Sequence, residues 1–122
     1  MCLLESVQVV ICDTVREPDG LALSSRNAYL SPEQRTAAQI VYKALLTARD
    51  FARAGCTAED LRERVTKKLL SETLVTDVEY VMVEDWELGV PIPSGVLPQN
   101  GLVVSCAVAM GDGPRLIDNI VF

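Results

Sequence analysis

The feature that most constrains this chain is a change of hydrophobic period. From Ser31 to Leu70 apolar residues recur every three or four positions, and from Asp77 onward they recur every two. The first spacing belongs to helices buried along one stripe, the second to strands with one face on a core. Ser31-Pro32-Glu33-Gln34 starts the first helix. Serine can cap it, proline suits the first helical position, and Gln34 completes a capping-box spacing. Ala37, Val41, Ala44, Ala48 and Phe51 then form one stripe, widened by Ala38, Ile40, Leu45 and Ala52, and Gly55 stops it. Thr57-Ala58-Glu59-Asp60 caps a second helix with Leu61, Val65 and Leu69 on its apolar side. Asp60–Arg64 and Glu63–Lys67 have the i,i+4 spacing of a solvated face.

In Asp77–Glu84, Val78, Tyr80 and Met82 alternate with Glu79, Val81 and Val83, which predicts a strand. Gly101–Met110 predicts another, with Leu102, Val104, Cys106, Val108 and Met110 on one face and small residues on the other. After the turn Gly111-Asp112-Gly113-Pro114, Arg115–Phe122 returns as a last strand. The stretch Glu84–Gly101, with Pro91, Pro93 and Pro98, reads as an irregular connection whose Trp86 covers the edge of the core. At the start of the chain the β-branched run VQVVIC, residues 7–12, also reads as a strand. Strands grouped after helices, rather than alternating with them, predict an α+β fold: two helices packed on one face of a small antiparallel sheet.

Composition narrows the function. At 122 residues, 49% of them hydrophobic, the chain reads as one folded domain spanning 1–122, and with 5% aromatic residues its core is mostly aliphatic. The net charge is −6 with no run of basic residues, which argues against nucleic acid or an acidic membrane as partner. Any anion site must be local. Cys2, Cys12, Cys56 and Cys106 are scattered and the sequence has no histidine, so they read as reduced structural thiols of a cytoplasmic protein rather than a metal set. No apolar run reaches membrane-spanning length, and no basic region precedes an apolar one at the start.

One stretch resists explanation by packing. Val15–Leu30 reads VREPDGLALSSRNAYL. Pro18-Asp19-Gly20 is turn chemistry, and small or aliphatic residues lead from it to Ser24-Ser25-Arg26-Asn27. Two hydroxyls and a planar, permanently charged guanidinium beside small residues suit a polyphosphate. Four polar residues alone read as an ordinary surface loop; it is the whole run that is specific. Arg16-Glu17 reads as a charge pair that shapes this loop, and Asp118-Asn119 as a structural turn or strand-end network rather than a metal or acid–base site.

REPDGLALSSRN, together with the closing GDGPRLIDNIVF, resembles the pantothenate synthetase (pantoate–β-alanine ligase) family, in the part of it that follows a larger nucleotide-binding domain. The resemblance covers nearly the whole chain. It implies the C-terminal domain of a Rossmann-like nucleotidyltransferase-type ligase, with the N-terminal domain and its HxGH-type motif absent from this sequence. It implies a reaction in which ATP activates pantoate as pantoyl adenylate and the amine of β-alanine displaces AMP. Carried over by position, Ser24, Ser25 and Arg26 contact the phosphates, with Arg26 as the catalytic residue, and Val15 and Leu23 line the adenine pocket. Mg²⁺ rides on the phosphates without a protein ligand. The implied partners are the N-terminal domain and, for the whole enzyme, a second copy in a homodimer. The competing expectation is a noncatalytic α+β interaction module whose loop binds phosphate.

Overall fold

The computed structural model describes residues 6–122. Its helices are α1 (Pro32–Ala37), α2 (Gln39–Ala54) and α3 (Ala58–Leu70), preceded by a short 3-10 helix over Ser25–Tyr29. Its strands are β1 (Asp77–Asp85), β2 (Leu102–Ala109) and β3 (Arg115–Val121). They form one antiparallel sheet in the order β1-β2-β3. α2 and α3 pack against each other and lie on one face of this sheet, α3 over β1 and α2 over β3. This is the two-layer α+β arrangement that the change of period predicts.

The helix boundaries follow from local chemistry. Ser31 and Gln34 form a complete capping box: Ser31 Oγ accepts from the Gln34 backbone and Gln34 Oε1 accepts from the Ser31 N–H. Thr57 caps α3 by accepting from the Asp60 N–H, and Gly55 ends α2 at φ 94°. The single long helix expected after Ser31 is instead two. At Ala38 the bonding tightens, with the Val41 N–H reaching back three residues to the Ala38 carbonyl, and α2 begins there. Glu63 and Lys67 pair at 3.0 Å as their spacing suggests. Arg64 makes no ion pair with Asp60; its guanidinium lies over the Phe51 ring, 4.2 Å from the centroid, and so ties α3 to α2.

The core is aliphatic. Val41, Ala44, Leu45 and Ala48 of α2 and Leu61, Val65 and Leu69 of α3 are buried against Leu102, Val104, Cys106 and Val108 of β2. Each large aliphatic side chain buried here contributes about 1.5–3 kcal/mol. The alternation expected in β2 is present. In β1 it is interrupted, because the register with β2 shifts between Val78 and Tyr80. That bulge lets Val78, Val81 and Val83 all pack towards the core, while Met82 is left 39% exposed. A two-residue period cannot show an extra residue of this kind.

Two further expectations need correction. Residues 7–12 are not a strand: Val9, Val10 and Ile11 are exposed, and no described residue pairs with this backbone. β-Branched residues favour a strand by packing on neighbours, and among the described residues no neighbouring strand is present to pack on. The rest of the N-terminal run, residues 1–5, lies outside the described residues. Trp86 does not close the core either, being 44% exposed; the side chain of that connection which enters the core is Leu97, with Ile92 against its margin. The sheet face away from the helices carries Tyr80, Ala107 and Ile117 in one row. Ala107 is buried between them, and Ile117 is exposed.

Candidate functional site

The run from Val15 to Leu23 folds back on itself. The Leu23 N–H donates to the Val15 carbonyl at 3.0 Å, Arg16 and Ala22 form a bridge, and the Glu17 N–H donates to the Leu21 carbonyl at 2.8 Å. Pro18-Asp19-Gly20 makes the tip, where Asp19 Oδ1 accepts from the Leu21 N–H. Asp19 also holds Arg35 of α1 through both terminal guanidinium nitrogens, and that hydrogen-bonded cation keeps the Asp19 carboxyl below its usual range. The tip is therefore tied to a helix while Leu21 is sunk into the core.

The other end of this hairpin delivers the polar residues. Ser24 Oγ accepts from the Arg26 N–H, and the 3-10 helix begins there. Asn27 Nδ2 donates to the Ala22 carbonyl at 3.0 Å and clips the 3-10 helix to the hairpin. Val15 and Leu23 stand side by side and exposed. Among the described residues, the Arg26 guanidinium has neither a hydrogen bond nor an ion pair. Leu23, Ser24, Arg26 and Asn27 line a cavity of about 330 Å³ whose β3 wall is Arg115, Leu116, Ile117 and Asp118, the carboxylate of the last being held by Arg16. Val15 and Ser25, also expected at the site, are not among the residues that line it. An anchored loop that offers hydroxyls and an uncommitted guanidinium beside an apolar shelf can accept a phosphate chain and an apolar ring.

Arg16 departs from its expected role. It does not pair with Glu17 as the sequence suggests. Its guanidinium spans to β3, donating to Asp118 at 2.5 and 3.1 Å, to the Asn119 carbonyl at 3.0 Å and to the Gly20 carbonyl at 3.0 Å. It also stacks 4.0 Å from the centre of the Tyr42 ring. Asp118 is held in a structural network, as read from sequence, while Asn119 joins it only through its backbone, and both sit inside β3 rather than at a turn or strand end. The signal for this is present: in RLIDNIV, Asp118 falls in phase with Leu116 and Ile120, so an acid occupies an inward slot and needs a cation.

Residues 2–121 match the family model described as pantoate-beta-alanine ligase. The chain belongs to the pantoate-beta-alanine ligase family. It is 45% identical over 116 residues to the pantothenate synthetase of Herpetosiphon aurantiacus, covering 94% of this chain and 41% of that protein. It is 42% identical over 118 residues to the pantothenate synthetase of Rubrobacter xylanophilus, covering 96% of this chain and 39% of the relative. The crystal structure of the pantothenate synthetase of Thermus thermophilus superposes with a TM-score of 0.74 at 36% identity, over 88% of this chain and 37% of that one. This chain thus spans about 40% of its ligase-family relatives.

Within that family framework the cysteines and acids can be placed. Cys106 is buried in β2, and burial, with a smaller contribution from nearby Asp118, pushes its thiol up to about 12. It is an inert packing residue. Cys12 is exposed and Cys56 half-buried. Among the described residues no three His, Cys, Asp or Glu side chains stand together in a way that could hold a metal ion. No helix among them is long and apolar enough to cross a membrane.

Proposed function

We propose that this chain is the phosphate-contacting domain of an ATP-dependent ligase that condenses pantoate with β-alanine. The observation that carries this reading is the uncommitted Arg26, which lines one cavity with Ser24 and Leu23, the latter hydrogen-bonded to exposed Val15. Membership of the ligase family supports the choice of ATP, pantoate and β-alanine as the substrates in this reading.

In this reading Ser24 and Ser25 donate hydroxyl protons to phosphate oxygens, and Arg26 faces the charge that builds up as pyrophosphate leaves. A fixed cation aimed at developing charge stabilises the transition state more than the ground state. Val15 and Leu23 offer an apolar surface to the adenine ring. Mg²⁺ would supply further charge neutralisation on the phosphates, beside the Ser24 and Ser25 hydroxyls and the Arg26 guanidinium. Pantoate, β-alanine and the rest of the ATP contacts fall to an N-terminal nucleotide-binding domain of the same enzyme, which acts as a homodimer in the cytoplasm.

A second reading has its own support. The chain spans about 40% of its relatives and contains no histidine, so taken alone it can serve as a binding module that holds phosphate without chemistry. The two readings part on one measurement. The 122-residue chain is assayed for pyrophosphate release from ATP with pantoate and Mg²⁺, alone and in place of the matching part of the Herpetosiphon aurantiacus relative. Silence alone and turnover in the chimaera support the ligase reading. A silent chimaera that is folded and still binds inorganic tripolyphosphate favours the binding module.

A further inference from the structure

We infer that Arg16 is the positioning residue of the Ser24–Ser25–Arg26 loop: one guanidinium sets where that loop stands against the body of the domain. The inference rests on the phosphate-loop reading above and adds the device that holds the loop in place. Arg16 uses its planar fork in several directions at once. Both terminal nitrogens reach the Asp118 carboxylate, one also meets the Gly20 carbonyl at the hairpin tip, and the other meets the Asn119 carbonyl of β3. The flat face of the group rests on Tyr42 of α2. Hairpin, edge strand and helix therefore converge on a single side chain.

The burial makes this a directed contact. The Asp118 side chain is only 4% exposed and that of Arg16 17%. An exposed ion pair could shift by several ångströms at little cost, whereas a largely buried bidentate pair whose two terminal nitrogens also reach backbone carbonyls has one good geometry. Arg16 bridges to Ala22, Asn27 clips to the Ala22 carbonyl, and Ser24 begins the 3-10 helix two residues later. The path from the latch to the polar loop is thus short and passes through the Leu23–Val15 and Asn27–Ala22 hydrogen bonds. Asp19–Arg35 holds the tip from the other side, but it is partly exposed and lies beyond the turn from Ser24. Arg16 instead sits directly across the hairpin from Ala22, two residues before Ser24.

The test separates holding the loop from holding the fold. Three variants of the 122-residue chain are compared with the parent: Arg16→Lys, Arg16→Gln, and Arg16→Gln combined with Asp118→Asn, which removes the buried charge left behind. Amide hydrogen exchange is followed at Leu23 and Asn27 and in β2, and affinity is titrated with inorganic tripolyphosphate. In the double variant the Leu23 and Asn27 amides should exchange about tenfold faster or more with β2 protection unchanged, as in a local opening. Tripolyphosphate affinity should fall by about tenfold or more through misplacement alone. Arg16→Lys should recover most of the melting temperature by restoring the charge, yet little of the affinity, because lysine lacks the fork. Parent-like exchange at Leu23 and Asn27 in the double variant overturns the inference. So does unchanged affinity despite a loosened loop, and so does global unfolding of all three variants, which would make the contact a general prop. Loosened exchange in variants of a parent that never binds tripolyphosphate supports the latch and removes the phosphate reading instead.

Discussion

Gly20 lies against the Tyr42 ring, so close that a Cβ on it would stand 2.6 Å from Tyr42 Cδ2. Its φ is 96°, a conformation that side chains disfavour, so two independent constraints fall on one glycine. The approach matters because Tyr42 is also the platform on which Arg16 stacks. Gly20→Ala should therefore destabilise the chain by on the order of 2–4 kcal/mol, combining the left-handed backbone cost with overpacking. Urea unfolding at neutral pH measures this. A loss below about 0.5 kcal/mol, the range of an ordinary surface change, would mean that the hairpin tip does not sit on Tyr42.

Gln34 gives a prediction that runs against the usual acceptance of glutamate at this position of a capping box. Its Oε1 serves the Ser31 N–H, but its Nε2 donates to the Met110 carbonyl at 2.9 Å and to Asp112 Oδ1 at 3.3 Å. Gln34→Glu keeps the cap acceptor, removes the donor and sets two carboxylates facing each other. The variant should lose about 1–2 kcal/mol at pH 7. The loss should shrink as pH falls towards 4, where the new carboxyl regains a proton that it can donate. Equal stability of the two proteins at pH 7 would show that the Met110 contact contributes nothing.

What the sequence makes legible is local. Ser31, Gln34, Thr57 and Gly55 act within one helical turn, and the structure has each cap and stop where the spacing puts it. The alternation through Leu102–Met110 is equally direct, because every second residue of a central strand meets the same helices. The bulge in β1 is hidden, since an extra residue costs a two-residue pattern its phase without changing its composition. Residues 7–12 mislead for a related reason: a strand is a relation between segments, and the sequence shows one side of it. At the candidate cavity, Ser24 and Arg26 of the motif line the wall while Ser25 does not, which the run of polar residues alone cannot show. Arg16 cannot be matched to its partner, because Asp118 lies 102 residues away while Glu17 stands next to it. Arg115 reads only as a strand residue, although it completes the wall of the same cavity.

The buried thiol of Cys106 sets a limit on alkaline stability. Its folded-state value is about 12, whereas an unfolded thiol ionises near pH 8.5. The raised value means that the protonated form is favoured in the fold. Its contribution is complete below the unfolded value and is lost as pH rises from about 9 towards about 12. Between pH 9 and pH 10 the parent should lose about 1 kcal/mol more unfolding free energy than Cys106→Ala. Chemical denaturation at the two pH values gives the difference, which cancels the titration of residues common to both proteins. Parallel slopes would show that the thiol is not held in the apolar layer between sheet and helices.

Arg26 carries the decisive prediction for function. It is exposed, lies outside the core, and its side chain makes no hydrogen bond or ion pair among the described residues. Arg26→Ala should therefore change stability by no more than about 0.5 kcal/mol. In a chimaera that joins this chain to the remaining part of the Herpetosiphon aurantiacus relative, the same substitution should slow pyrophosphate release from ATP and pantoate by about 10²–10³, or on the order of 2–4 kcal/mol of activation. Arg26→Lys should recover part of that rate, since it restores the charge but not the planar fork. Supplying preformed pantoyl adenylate should largely bypass both defects, because the departing pyrophosphate has already gone and only the attack of β-alanine remains. Thermal unfolding and pyrophosphate release measured on the same two variants separate a catalytic loss from a folding loss. A lowered melting temperature with normal turnover would assign Arg26 to the fold, and normal turnover with normal stability would remove it from the reaction altogether.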